Sequence, residues 1–193
     1  SLCLKLCYTD PDTALYFAHQ SLSIGLKLKD DEILGKTYNR IGIVNDIISN
    51  WDSALYYYDL ALKHAKAAND PLTIASIYNN YGLIYWNKNL LDKAIENFSS
   101  SLELSEKLGN LRMLANNYNN IGLIFYEQKR FQKAYGYHLK ALGHRKKIQD
   151  TYGIGASYSN LGMILSDLKK WDSSNYYHHK AIDLKKQIGD NYG

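Results

Sequence analysis

A chain of 193 residues with 46% hydrophobic and 22% charged residues is globular rather than disordered, and its length fits one domain or a repeat array. Two prolines and thirteen glycines argue against a sandwich or a loop-rich fold, and eighteen tyrosines need a place in whatever forms. The net charge of +4 reads as small and spread along the chain, so it does not point to nucleic acid, which wants cations clustered on one face.

In chain order, "YTDPDTALYFAHQSL" (8–22) reads as a turn and the second helix of a hairpin. Ala14 and Ser21 take its small positions and Ala18 a position that is aromatic elsewhere. Ahead of it only Leu2 to Tyr8 remain of a first helix; shortening the turn by one residue places Leu2 and Leu6 in the core and Cys3 at a glycine position. Two-helix segments follow from residue 31. The clearest has a first helix, Leu72 to Asn87, with Ile74, Ile77, Tyr78, Tyr81, Ile84 and Tyr85 at helical spacing. "NKN" (87–89) breaks it, and a second helix runs from about Leu91 to Leu108, ending at "GN". "EQKR" and "DLKK" break the later first helices, while "ND" (69–70), "QD" (149–150) and "GD" (189–190) supply turn and cap residues. Lys, Arg and His gather at the ends of second helices, as in "GHRKK" (143–147) and "LKKQ" (184–187), where they complement the helix dipole, the alternative being a phosphate-binding patch. The closing "DNYG" (190–193) matches "DTYG" (150–153) and reads as the start of a further segment of a longer protein.

The segments are a repeat of forty. Tyr38, Tyr78, Tyr118 and Tyr158 are in register, as are Gly42, Gly82, Gly122 and Gly162. So are Trp51, Leu91, Phe131 and Trp171; Ala54, Ala94, Ala134 and Ser174; and Ala61, Ser101, Ala141 and Ala181. Repeats are expected at 31–70, 71–110, 111–150 and 151–190, with a partial repeat over 1–30 and the start of another at 191–193, forming one array. A glycine inside a helix costs about 1 kcal/mol relative to alanine. Four of them in one register imply close approach of the partner helix, with Ala94 and Ser101 as its small residues. Tyrosine then fills the remaining gaps, its hydroxyl reaching water at a helix edge. The fold class expected is all-α, a right-handed superhelical solenoid of tandem antiparallel helical hairpins.

Tyr78, Tyr81, Gly82, Tyr85, Leu91, Ala94, Phe98 and Ser101 together resemble the tetratricopeptide repeat. The forty-residue spacing and the openings "YNNYG" and "YNNIG" are similar to the variety found in kinesin light chains, G-protein-signalling modulators, bacterial peptide-sensing regulators and bacterial sensor regions. The resemblance implies a non-catalytic module that binds protein or peptide. His138 and His178 depart from it at the aromatic register of Phe98, Asn45 stands where Tyr85 would, and Ser159 replaces the first asparagine.

The paired asparagines carry the functional expectation. At about 100° per residue, Tyr78, Tyr81, Gly82 and Tyr85 cluster on one side of the first helix. Ser76, Asn80, Leu83 and Asn87 point the other way, flanked by Asn79 and Trp86. In a stacked hairpin solenoid that face lines the concave surface. It repeats as Arg40, Asn80, Asn120 and Asn160; as Ile43, Leu83, Leu123 and Met163; and as Ile47, Asn87, Glu127 and Asp167. Trp86 and Tyr126 flank these rows. An amide offers two donors and an acceptor, which suits the backbone of an extended peptide, and the apolar row supplies burial. The alternative for Asn80 and Asn120 is hydrogen bonding to neighbouring helices alone; Asn79 and Asn119 read as ties between repeats.

Catalytic and cofactor chemistry finds no support. "YGIGAS" lacks a third glycine and a preceding strand, and there is no G-x-S-x-G, H-E-x-x-H or phosphate-loop lysine. His178 and His179 diverge on a helix, and His138 with His178 gives two of the three or four ligands zinc needs. Cys3 and Cys7 are too few for a disulfide framework or a zinc site. No apolar run approaches the roughly 18 residues of a membrane span. The expectation is a binding scaffold within a larger protein, without cofactor, metal, nucleic acid or membrane contact by this segment, whose uncapped ends associate. The rival is a ligand-sensing regulatory region of a bacterial sensor kinase or transcription regulator.

Overall fold

The computed structural model describes residues 9–190, with helix as the regular structure throughout. The expectations placed on Leu2, Cys3, Leu6 and Cys7 lie outside the described residues. The helices are α1 (Pro11–Leu28), α2 (Asp31–Ile47), α3 (Trp51–Ala67), α4 (Pro71–Asn87), α5 (Leu91–Lys107), α6 (Leu111–Glu127), α7 (Phe131–Lys147), α8 (Thr151–Asp167) and α9 (Trp171–Asp190). They pair as antiparallel hairpins, the all-α architecture of a helical solenoid. Two compact units, Ser1–Leu104 and Ser105–Gly193, divide the chain inside α5.

Each first helix starts on an acidic or amide cap. The side chains of Asp30, Asp70, Asn110 and Asp150 accept from the backbone N–H of Ile33, Thr73, Met113 and Gly153 at 3.0, 3.0, 3.1 and 3.1 Å. Between helices, one residue is left-handed every twenty: Lys29, Ser49, Asn69, Asn89, Gly109, Lys129, Gln149 and Lys169, at φ of 51–62°. The N–H after each reaches back five residues, as Asp70 does to Ala65 O at 2.9 Å and Leu90 to Tyr85 O at 2.8 Å. The sequence signal for such joints is glycine or asparagine, which explains why only Asn69, Asn89 and Gly109 are legible as left-handed.

The glycine register is tight, for a reason other than the one expected. A Cβ on Gly82 would lie 2.6 Å from the Phe98 ring, and one on Gly42 would lie 2.4 Å from Tyr58. In the second unit the rings are imidazoles: His138 covers Gly122 and His178 covers Gly162, at 2.9 and 2.7 Å from the missing carbon. The glycine therefore admits the aromatic-register side chain of the second helix rather than its small residues. Those have their own task. Ala54, Ala94, Ala134 and Ala141 are fully buried. Where serine replaces alanine, Ser101 Oγ donates to Ala75 O at 2.7 Å and Ser174 Oγ donates to Gly162 O at 2.8 Å.

Tyrosines line the hairpin edges, and the hydroxyls of several bond carboxylates. Tyr81 donates to Asp59, and Tyr118 donates to Glu106 at 3.2 Å. Burial, then the bonded carboxylate, holds the Tyr81 phenol well above its ordinary range and raises that of Tyr118. Tyr177 is pushed up to about 12, first by burial and then by its bond with Tyr135. Tyr38 stacks on His64, with ring centroids 5.6 Å apart, and Tyr118 on His144 at 5.7 Å, so two hairpins share one aromatic arrangement.

Candidate functional site

The first-helix residues expected to line a binding surface fall into two sets, one per unit. In the first unit α2 exposes Arg40 beside half-buried Ile43, and α4 carries half-buried Leu83 and Trp86 with exposed Asn87 as its last residue. In the second unit α6 carries half-buried Asn120, Leu123 and Tyr126 and exposed Glu127, and α8 carries half-buried Asn160 and exposed Met163.

The asparagines are less open than expected. Asn80 is 8% exposed, and its Nδ2 donates to Oδ1 of Asn39 on α2 at 3.1 Å. In the second unit Asn160 Nδ2 donates to Asn119 Oδ1 at 3.2 Å. The second asparagine of one hairpin thus ties to the first asparagine register of the hairpin before it, 41 residues earlier. Open amides at Asn80 are corrected by this geometry. A helix at solenoid spacing brings the 39 and 80 registers face to face, and a buried amide must be bonded. Replacing Asn80 by alanine is accordingly expected to cost about 1–2 kcal/mol, the value of a buried hydrogen bond plus an orphaned Asn39 carbonyl, in chemical denaturation. Asn87→Ala is the exposed control, and equal midpoints for the two variants would remove the tie.

The charges of the site are uneven. Glu127 and Asp167 end α6 and α8, where the helix dipole disfavours acids. Tyr126 donates to Asp167 Oδ2 at 2.6 Å, and that bond, ahead of burial, raises its phenol. At the same register in the first unit stands Asp46, half-buried, its carboxyl raised by desolvation. Lys36, one turn before Arg40, pairs with Glu32 and lies 3.8 Å from Asp70.

Two buried polar groups stand apart from that surface. His138 is fully buried, and its Nδ1 lies 3.4 Å from Asn160 Nδ2 while Nε2 has no partner. Burial, then the nearby Arg145 cation, brings it down to about 4. Arg145 takes a register held in the earlier repeats by Gly25, Ala65 and Ser105 and in the last by Lys185, and it donates through Nη1 to Gly153 O (3.0 Å) and Ser157 Oγ (2.7 Å). A Cβ on Gly153 would strike first the cap carboxylate of Asp150 and then Arg145 Cδ at 2.8 Å, so that glycine makes room for both side chains and belongs to no phosphate loop. Sequence reasoning missed this set; the signal was arginine in a small-residue register with glycine eight and serine twelve residues on. Among the described residues no three of His, Cys, Asp and Glu gather as a metal ion requires, and no helix is long and apolar enough to cross a membrane.

Antiparallel hairpins with a glycine against a ring in each, and a polar tie between the two first helices within each unit, define a helical-repeat protein. The chain belongs to the tetratricopeptide repeat family: two models of that repeat match residues 73–147 and 155–188, together more than half of it. Solved structures agree on the fold. BtubC (BKLC) from P. vanneervenii is 21% identical with a TM-score of 0.83, over 94% of this chain and 75% of that one. Aspartyl phosphate phosphatase F from Bacillus subtilis is 17% identical at 0.83, over 92% of this chain and 46% of that one. The apo form of RapI is 16% identical at 0.83, over 94% of this chain and 66% of that one. No curated protein is a significant match. The family is in general a non-catalytic scaffold acting through protein or peptide partners.

Proposed function

We propose that the chain is a binding module for an extended protein or peptide segment, held along the first-helix face of each unit. In this reading Leu83, Trp86, Arg40 and Asn87 form the contact surface of the first unit, with Asn80 as the tie beneath it. Leu123, Met163, Tyr126 and Glu127 form that of the second, flanked by the amides of Asn120 and Asn160. The observation that carries it is the apolar row. Met163 is 37% exposed, and Leu83 and Leu123 are half-buried at the same register, on a face where solvation alone would favour polar residues. The repeats are taken as 31–70, 71–110, 111–150 and 151–190.

Peptides selected from a random library by the wild-type chain test the proposal. Leu83→Asp and Leu123→Asp are expected to weaken the selected peptides about tenfold or more, the usual effect of removing a central apolar contact, with helicity and melting unchanged. Selected peptides that bind both variants at wild-type affinity would place the interface elsewhere.

A further inference from the structure

The net charge is divided rather than spread. Residues 1–104 hold 12 acidic against 9 basic side chains, and residues 105–193 hold 14 basic against 7 acidic. Much of the excess lies on α7, whose sequence FQKAYGYHLKALGHRKK contains no acid. Lys133, Lys140 and Lys147 are exposed and seven residues apart, so they run in one line along the helix, drifting about 20° per step. Arg130 begins the line at the N-cap. The helix dipole accounts for Lys146 and Lys147 in the last turn, but it opposes cations at Arg130 and Lys133 in the first.

Three of these cations are held in place by rings rather than by carboxylates. Arg130 and Lys133 lie 4.8 and 5.5 Å from the Phe125 centroid, and Lys140 lies 5.2 and 5.6 Å from Tyr118 and Tyr137. Among the described residues none of them forms an ion pair. Beside the row runs an apolar strip in which Leu139 is 38% exposed between Gly136 and Gly143. A Cβ on either glycine would meet nothing within 4 Å, so packing within the hairpin does not require them, although each costs about 1 kcal/mol in a helix.

We propose that this face of α7 docks an acidic helix of a protein partner. Carboxylates at helical spacing meet Lys133, Lys140 and Lys147, and the partner's backbone comes close over the two glycines to cover Leu139. A nucleic acid strand fits less well. Tyr118 and Phe125 are 8% and 7% exposed beneath the cations and cannot stack bases, and phosphates gain nothing from Leu139.

The probe is a labelled three-heptad helical peptide bearing glutamates every third and fourth residue beside an alanine–leucine strip. Controls are its lysine-for-glutamate counterpart and a single-stranded oligo-dT. Fluorescence anisotropy is expected to show binding of the acidic helix alone, weakening as salt rises. Combined Lys133→Gln, Lys140→Gln and Lys147→Gln changes should lower affinity about tenfold or more, as loss of interface charge pairs does. Gly143→Leu should lower it comparably with every charge retained, and thermal melts should show both variants folded. Failure of the acidic helix to bind, or unchanged affinity in the triple-glutamine variant, overturns the proposal. Tighter binding of oligo-dT, indifferent to Gly143→Leu, would reassign the face to nucleic acid.

Discussion

Replacing Gly82 by leucine is expected to cost 3 kcal/mol or more, at or beyond the upper end of ordinary overpacking penalties. The first added carbon would already lie 2.6 Å from Cδ1 and Cε1 of Phe98, a ring that is fully buried and has nowhere to move. Gly143→Ala is the matched control. Its Cβ meets nothing, so the better helix former should raise stability by up to about 1 kcal/mol. Urea denaturation of the two variants beside wild type measures both. A Gly82→Leu midpoint equal to that of wild type would mean that the ring and the glycine are not in contact.

The second large effect belongs to acid. His138 is neutral in the folded chain down to about 4, whereas an unfolded histidine protonates near 6.5. Below the unfolded value the denatured chain binds a proton that the native one refuses. Stability is therefore fully present above about pH 6.5 and drains away as pH falls toward 4, by about 3 kcal/mol in all. His138→Phe should remove that loss, and it should also stabilise the chain at neutral pH by about 1–2 kcal/mol. The change puts at this register the ring that Phe98 already sets over Gly82, and it deletes an Nε2 buried without a partner. Asn160 keeps its bond to Asn119 in the variant. Denaturation at neutral pH and near pH 4.5 gives the comparison. An equal acid loss in both proteins would assign it to other groups.

Helical spacing and the forty-residue period made the hairpins legible, because Tyr78, Gly82 and Ala94 are constrained by packing that recurs in each copy. What the glycine admits was not legible, since composition alone does not say which facing side chain fills the space. The Asn39–Asn80 tie was obscure for a related reason. Rotation about one helix axis gives the direction of an amide but not the neighbour that meets it there. The charge of α7 was hidden by adding the acids of the first half to the cations of the second. A single-helix argument is enough to find the shared register of Leu83, Leu123 and Met163, and the structure leaves them half-buried or exposed there, while their use in binding belongs to the proposal.

The left-handed residue that recurs every twenty positions bears on how the chain acquires its structure. Each of the eight joints closes within five residues, and the asparagine ties span 41 residues, one more than a repeat. Among the described residues these links ask for no encounter between remote parts of the chain, so loop-closure entropy stays small and the barrier low. A hairpin can form as it leaves the ribosome, and the next can condense on it without disturbing what is already made. Growth of this kind resembles the addition of beads to a string, in which any joined pair can serve as the seed.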